Sequence, residues 1–225
     1  VNKIKTFKID ENKGVISKKL VEINISQFHI ACEFISELPY KRNLDKNNIK
    51  CVFEDNGGTC STKHAVLRKL ALENNQENVK LILGIFKMDP EYALSIKDTL
   101  NRYQLKYIPE AHNYLKIENQ YCDFTTPGSN YEQFENNILQ EIEIEFNQIN
   151  SEKISFHKKF LEKWIIEENI EYNLEEIWSI REQCIEDLQK SNQEQICTNY
   201  SEEDVDSNSS PICYQNSPEV RDEYK

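Results

Sequence analysis

Gly57-Gly58-Thr59-Cys60-Ser61-Thr62-Lys63-His64-Ala65 is the stretch on which the fold of this chain turns. The glycines mark a tight loop and Thr59 suits an N-cap. Ala65, Val66, Leu67, Leu70 and Ala71 then follow at helical spacing, so the pattern predicts a helix over 60–74, closed by Asn74-Asn75 and Asn78. A helix N-terminus carries unpaired N–H groups and about half a positive charge. A thiol placed there ionises below its ordinary pKa of about 8.5, and the thiolate is the nucleophile. Cys60 is therefore a candidate nucleophile.

Downstream, Val79 to Met88 is a near-continuous apolar run, which predicts a central strand buried on both faces. Pro90 stops it, and Leu94, Ile96 and Leu100 predict a short helix within 91–103. Ala111–Ile117 and Gln120–Thr125 then read as two strands joined by a two-residue turn at Glu118-Asn119. That turn sets Ile117 opposite Gln120 and Tyr114 opposite Asp123. His112 and Asp123 become same-face diagonal neighbours, about 7–8 Å apart at Cα, a gap a carboxylate can span to an imidazole. A one-residue slip of the turn would break this. With Cys60 the three form a candidate acyl-transfer site. Cys60 attacks, His112 holds the thiolate–imidazolium pair and protonates the leaving group, and Asp123 fixes the imidazole. The Cys60 backbone N–H is one candidate oxyanion donor, and Tyr40 and Asn43, in the loop after Pro39, are candidates for the other.

Upstream, residues 1–16 alternate weakly and read as an edge strand or a loose arm, and 17–37 as one helix ended by Pro39. Cys51-Val52-Phe53 is a short apolar stretch before the glycine turn. Past Pro127-Gly128, the apolar positions of 131–149, 151–168 and 173–189 all fit helices. The Asn173-Leu174-Glu175-Glu176 start places acid on the dipole of the last one. Beyond Lys190 the composition turns to Ser, Asn, Asp and Glu with few large apolar residues. Such a segment buries too little surface to offset its ordering entropy. The expected organisation is one domain over 1–189 and a disordered acidic tail over 190–225.

The 225 residues carry 27 basic and 39 acidic side chains, a net charge of -12. That balance argues against a nucleic-acid partner, which calls for a basic stripe, although Lys41, Arg42, Lys46 and Lys50 form a small basic patch. No apolar run approaches the ~20 residues that span a bilayer, so no membrane partner is expected. Val1 to Phe7 lacks the apolar core of a signal peptide, and cytoplasmic residence is expected. The seven cysteines have no CxxC and no regular spacing, so free thiols are expected rather than a disulfide frame. Cys60 and His64 at i,i+4, and His29 and Cys32 at i,i+3, have spacings a metal can use. A zinc site needs four ligands, however, and no complete pattern is present, so no metal and no cofactor is expected.

The order Cys–His–Asp, with the cysteine at a helix start and the other two on successive strands, resembles the transglutaminase-like core of the cysteine-protease superfamily. Arylamine N-acetyltransferases and peptide N-glycanases share this order. The segments that carry the resemblance are Gly58-Thr59-Cys60, Glu110-Ala111-His112-Asn113-Tyr114 and Tyr121-Cys122-Asp123-Phe124-Thr125. Leu38 to Thr125 is similar to a bacterial branch of that superfamily, and Leu174-Glu175-Glu176-Ile177-Trp178 and Arg181-Glu182 belong with it. The resemblance implies an α+β, papain-like core with a small antiparallel sheet, a nucleophile helix and C-terminal helices. It also implies acyl transfer or amide/peptide hydrolysis on a peptide or small-molecule substrate. The chain lacks the long flanking β-domains and calcium loops of true transglutaminases, so protein crosslinking is not expected. Two other readings stand beside it: a catalytically silent binding or scaffold protein on the same fold, and a zinc-binding interaction module.

Overall fold

The computed structural model describes residues 4–203. Two compact units divide after Leu188. The first is α+β: N-terminal helices, a four-stranded antiparallel sheet and C-terminal helices. Its helices are α1 (Val15–Glu22), α2 (Phe28–Glu37), α3 (Cys51–Glu54), α4 (Cys60–Glu73), α5 (Lys97–Arg102) and α6 (Ser151–Glu167), followed by the start of α7 (Leu174–Glu203). Its strands are β1 (Val79–Met88), β2 (Ile108–Ile117), β3 (Gln120–Cys122) and β4 (Ile138–Ile144), in the spatial order β3-β2-β1-β4.

The two central strands explain the apolar run in the sequence. On one face, Leu81, Leu83 and Ile85 of β1 and Ala111 and Leu115 of β2 pack with Ala65, Leu67, Leu70 and Ala71 of α4 and with residues of α1 and α2. On the other, Ile82, Phe86 and Tyr114 pack with Leu100 of α5, Leu161 and Trp164 of α6, and Ile177 and Ile180 of α7. Each fully buried aliphatic side chain contributes about 1.5–3 kcal/mol. A strand covered on both faces therefore has almost no polar position to offer.

Two hydrogen-bonding features fix the frame. Glu73, at the far end of α4, accepts from the Ile16 and Ser17 N–H groups and the Ser17 hydroxyl, so its carboxylate caps α1 from outside. A Cβ on Gly14 would lie 2.0 Å from the Glu73 carboxyl carbon, so Gly14 makes the room for that cap. His157 of α6 contacts the Pro109 carbonyl oxygen through Nε2 at 2.8 Å, and Trp164 Nε1 donates to the Tyr107 hydroxyl at 2.9 Å. These contacts seat α6 on the start of β2.

Several expected elements differ. The segment 17–37 is two helices, parted where Asn24 takes φ 66°, a left-handed conformation that asparagine tolerates. Residues before it form a 3-10 turn at Glu11–Lys13 and a single bridge, Lys8 to Gln27, rather than a strand. Cys51–Glu54 is a helical turn. The largest difference lies in 131–149, which was expected as a helix and holds two 3-10 turns and strand β4. Phe134, Ile138, Ile142 and Phe146 recur every four residues. That spacing keeps one face of a helix, but here Phe134 and Ile138 pack on the Phe86 side of the sheet and Ile142 and Phe146 on the Leu83 side, because the pairing of β4 with β1 shifts register at Ile85/Phe86. Finally, α7 continues helical to Glu203, past the boundary expected at 190. Extending an existing helix avoids the nucleation cost, and Gln193, Glu194 and Gln195 are good helix formers. The rest of the acidic segment, 204–225, lies outside the described residues. Among the described residues no helix is long and apolar enough to cross a membrane.

Candidate active site

Cys60 is the first residue of α4 and Thr59 its N-cap. The Thr59 N–H donates to Thr62 Oγ1 at 3.0 Å, which closes the first turn. Among the described residues nothing accepts from the Cys60 or Ser61 N–H. The glycines before it let another loop approach. A Cβ at Gly57 would lie 2.7 Å from the Pro39 carbonyl oxygen. The Gly58 N–H donates to that carbonyl at 3.0 Å, Lys41 N–H donates to the Gly58 carbonyl at 3.2 Å, and Tyr40 and Gly58 form a parallel bridge. The Tyr40 loop is thereby laid across the helix start.

The hairpin has the register expected from the Glu118-Asn119 turn: Ile117 faces Gln120, Lys116 faces Tyr121 and Leu115 faces Cys122. Regular pairing stops there, and Asp123 follows directly. Its Oδ2 lies 2.8 Å from His112 Nε2, while Oδ1 accepts from the Thr125 N–H at 2.9 Å and from the Thr125 hydroxyl. Burial works against the His112 charge, but Asp123 and Cys60 outweigh it and push the imidazole pKa well up. The charge and hydrogen bond of His112 hold the Asp123 carboxyl well below the ordinary carboxylate range, against the effect of burial. With Nε2 committed to Asp123, Nδ1 is the nitrogen left to serve the thiol.

Cys60 is 6% exposed. Burial alone raises a thiol pKa; here the charges of Lys153 and His112, with contacts from the His112 ring and the Asn113 N–H, turn the shift downward. Cys32, Cys51, Cys122 and Cys184 are also buried free thiols, and burial pushes all four up. Cys197 and Cys213 lie outside the residues whose side chains are described. Lys153 of α6 places Nζ 3.8 Å from Cys60 Sγ. It also donates to Ser61 Oγ at 2.8 Å and to Asn113 Oδ1 at 2.9 Å. Ser61 Oγ donates to the same Asn113 oxygen at 3.0 Å, and Asn113 Nδ2 donates to the Ile82 carbonyl at 3.0 Å. The ammonium is therefore held on a buried polar scaffold rather than left to swing in solvent.

The two candidates from the upstream loop have different surroundings. Tyr40 is 38% exposed as a residue. Desolvation of its hydroxyl, then the charges of Cys60 and Glu110, push its pKa up, which keeps it protonated and a donor. Its hydroxyl has no hydrogen-bond partner among the described residues. Asn43 is occupied. Its amide donates to Asp55 Oδ2 at 2.9 Å and to the Gly57 carbonyl at 2.8 Å, and its oxygen accepts from Thr62 at 2.7 Å. Asn43 thus ties the glycine loop to the helix and has no proton left for an oxyanion.

One turn into α4, Lys63 and His64 are both fully buried. Lys63 Nζ donates to the carbonyls of Ser36, Leu38 and Thr125. Burial pushes its pKa down to about 8. His64 receives the Phe124 N–H on Nε2 at 2.8 Å and contacts the Cys60 carbonyl with Nδ1 at 2.7 Å, which fixes the neutral Nδ1–H tautomer. Burial pushes its pKa down to about 4. Asp123 Oδ1 stands 3.5 Å from His64 Nε2, but a ring that accepts there is not an ion-pair partner. With both nitrogens engaged, His64 presents no lone pair to a metal.

Lys153, and the buried bidentate pair of Glu110 with Arg181 at 2.6 Å, are the site residues that sequence reasoning missed. Glu110 and Arg181 stand 71 residues apart, on β2 and α7, and no local rule of sequence pairs them. Nothing in the sequence marks Lys153 among the surface lysines of α6. A groove of about 410 Å³ on the sheet, lined by residues that include Lys80, Lys116, Tyr121 and Glu141, contains none of the residues around Cys60. No protein-family model, curated protein or solved structure matches the chain.

Proposed function

We propose that this chain is a cysteine-dependent acyltransferase or amide/peptide hydrolase on a transglutaminase-like, papain-like core. The observation that carries the reading is the 2.8 Å His112–Asp123 bond beside a thiol that, unlike the other buried thiols, is pushed toward ionisation. In this mechanism Asp123 holds Nε2 of His112, and Nδ1 carries the proton shared with Cys60. The Cys60 thiolate attacks an acyl carbon, forming the S–C bond. The unpartnered Cys60 N–H and the Tyr40 hydroxyl are the groups positioned to receive the oxyanion. As the tetrahedral adduct collapses, the C–N or C–O bond to the leaving group breaks and His112 delivers the proton. Neutral His112 then takes a proton from water or from an acceptor amine, which attacks the thioester and frees Cys60.

The test is a pH series of alkylation with iodoacetamide, read by mass spectrometry on the peptide that holds Cys60, together with turnover of activated esters and amides by the wild type and by Cys60→Ala. Alkylation that persists well below pH 8.5, and turnover that disappears in Cys60→Ala while the protein stays folded, are expected. A Cys60 that titrates like a free thiol, or a Cys60→Ala variant with full turnover, would overturn the reading in favour of a silent binding protein.

A further inference from the structure

Lys153 stands where its own helix disfavours it. It is the third residue of α6, and the first turn of a helix carries partial positive charge that repels an ammonium. The polar scaffold beneath it does not require it. Ser61 Oγ donates to Asn113 Oδ1 at 3.0 Å, and Asn113 Nδ2 donates to the Ile82 carbonyl at 3.0 Å, a chain that closes without Lys153. The seat of α6 on the sheet comes from His157, Leu161 and Trp164 instead. Neither helix stability nor packing accounts for a cation at this position.

The chemistry of the ammonium does. It has three protons to give and no acceptor. Ser61 Oγ at 2.8 Å and Asn113 Oδ1 at 2.9 Å, both on buried side chains, take two, and the third contact is Cys60 Sγ at 3.8 Å. A neutral thiol is a weak acceptor, whereas a thiolate meets the cation with a full charge. Burial raises the Cys60 pKa, and Lys153 is the largest of the charges that bring it down to about 6, ahead of His112. The other groups around the thiol are committed elsewhere. Lys63 is spent on three carbonyls, His64 is held neutral, Asp123 binds His112, and Arg181 binds Glu110. The Tyr40 and Tyr92 hydroxyls are pushed up and stay neutral. Among the described residues Lys46, in the loop between α2 and α3, has no hydrogen bond or ion pair to the thiol, and Lys153 alone of the lysines and arginines contacts the sulfur.

We propose that Lys153 is a fourth catalytic residue of this site, its ammonium holding the Cys60 sulfur as the thiolate until it attacks the acyl carbon. In that step the sulfur electron pair forms the S–C bond and the carbonyl π pair moves onto the oxygen. Lys153 gives up no proton, and the proton for the leaving group comes from His112. The inference rests on Cys60 being the nucleophile, and the experiment separates the two claims. Alkylation of Cys60 by iodoacetamide is followed from about pH 5 to about pH 10 by mass spectrometry on the peptide that holds it, in the wild type, Lys153→Gln and Lys153→Arg, with thermal unfolding recorded for each. Lys153→Gln is expected to raise the inflection by about 1–3 pH units, with Tm no lower than that of the wild type, because the exchange removes a cation from the start of α6. Lys153→Arg keeps a cation there and is expected to bring the inflection back toward the wild type. An inflection that Lys153→Gln leaves unmoved overturns the role of Lys153 and leaves the nucleophile standing. So does a Lys153→Gln variant that loses its fold, or a rise that Lys153→Arg does not reverse, since the lysine then serves the packing of α6. A wild-type Cys60 that titrates like a free thiol overturns the nucleophile, and the role of Lys153 with it.

Discussion

Cys60 and the Lys63–His64 pair stand one turn apart on the same buried helix, and their polar contacts are of opposite kinds. Lys63 and His64 are met by backbone groups: three carbonyls on the lysine, one carbonyl and one N–H on the imidazole. Every proton has a fixed place, and neither side chain has capacity left for a substrate. Around Cys60 the partners are side chains that carry charge, namely His112, Lys153 and, through His112, Asp123. Those groups change charge when a proton moves, and two donors at the helix start remain unpartnered. The comparison separates a scaffold from a site by what satisfies each group rather than by residue type. The cluster contains two histidines with ring centroids 6.4 Å apart, one held neutral and one held charged.

The largest effect that bears on this contrast is Cys60→Ala. It is expected to remove turnover by a factor on the order of 10⁶ while thermal unfolding moves little, because Lys153 keeps its bonds to Ser61 and Asn113 and His112 keeps Asp123. Unfolding followed by circular dichroism beside a turnover assay checks it. A marked loss of stability would place Cys60 with the scaffold. Asp123→Asn comes next, since Asp123 touches both regions. Turnover at neutral pH is expected to fall about 10⁴-fold, because an amide cannot hold the imidazolium that the carboxylate holds. Stability is expected to drop as well, through the Thr125 contacts, so the steady-state rate must be measured on variant shown to be folded. Unchanged turnover would remove Asp123 from the mechanism.

Lys63→Met carries the opposite signature. Methionine fills the same space but leaves the Ser36, Leu38 and Thr125 carbonyls without their donor. A loss of about 3 kcal/mol is expected, with Tm lower by roughly 6–12 °C. Turnover per folded molecule is expected to change far less than in Asp123→Asn. A variant with wild-type stability and a lost rate would mean that Lys63 acts on the chemistry and that the division between the two regions is wrong.

The parts of this architecture legible in the sequence were those set by local rules. A glycine loop with Thr59 starts α4, an unbroken apolar run makes β1, and the Glu118-Asn119 turn fixes the register that brings Asp123 to His112. Elsewhere local spacing misleads: the four-residue recurrence of Phe134 to Phe146 suits a helix, yet part of the segment pairs with β1 as β4, with a register shift that sends Ile138 and Ile142 to opposite faces of the sheet. A strand at the edge of a sheet also keeps polar residues on its open side, so Glu141 and Glu143 looked like a solvated helix face. Glu141 in fact accepts from the Tyr114 hydroxyl, and Glu143 pairs with Lys80 at 2.6 Å. Lys153 was illegible for a different reason. It reaches Cys60 only because His157, Leu161 and Trp164 seat α6 on the sheet, and that docking is a tertiary fact with no local signature.

The smallest effect is a pH dependence that sets the two histidines against each other. Unfolded histidine titrates near 6.5, and His64 in the fold is pushed down to about 4. Between those values the unfolded chain binds a proton that the native His64 refuses, so His64 makes stability fall as pH falls through that window. His112 has the opposite sign. Its native pKa is raised, so its contribution is complete below the unfolded value and is lost as pH rises through the native one. His157, also pushed down to about 4 by burial, adds to the His64 slope, so the wild-type curve is a sum. His64→Gln isolates one member, because a glutamine can still donate to the Cys60 carbonyl and accept from the Phe124 N–H without titrating. Urea unfolding at pH 7.5 and pH 5 is expected to show the wild type losing about 2 kcal/mol more than His64→Gln across that interval. The comparison is between slopes, so any fixed penalty of the substitution cancels. Equal slopes would mean that His64 takes up a proton in the native state, and the two imidazoles would then share one role rather than divide into scaffold and site.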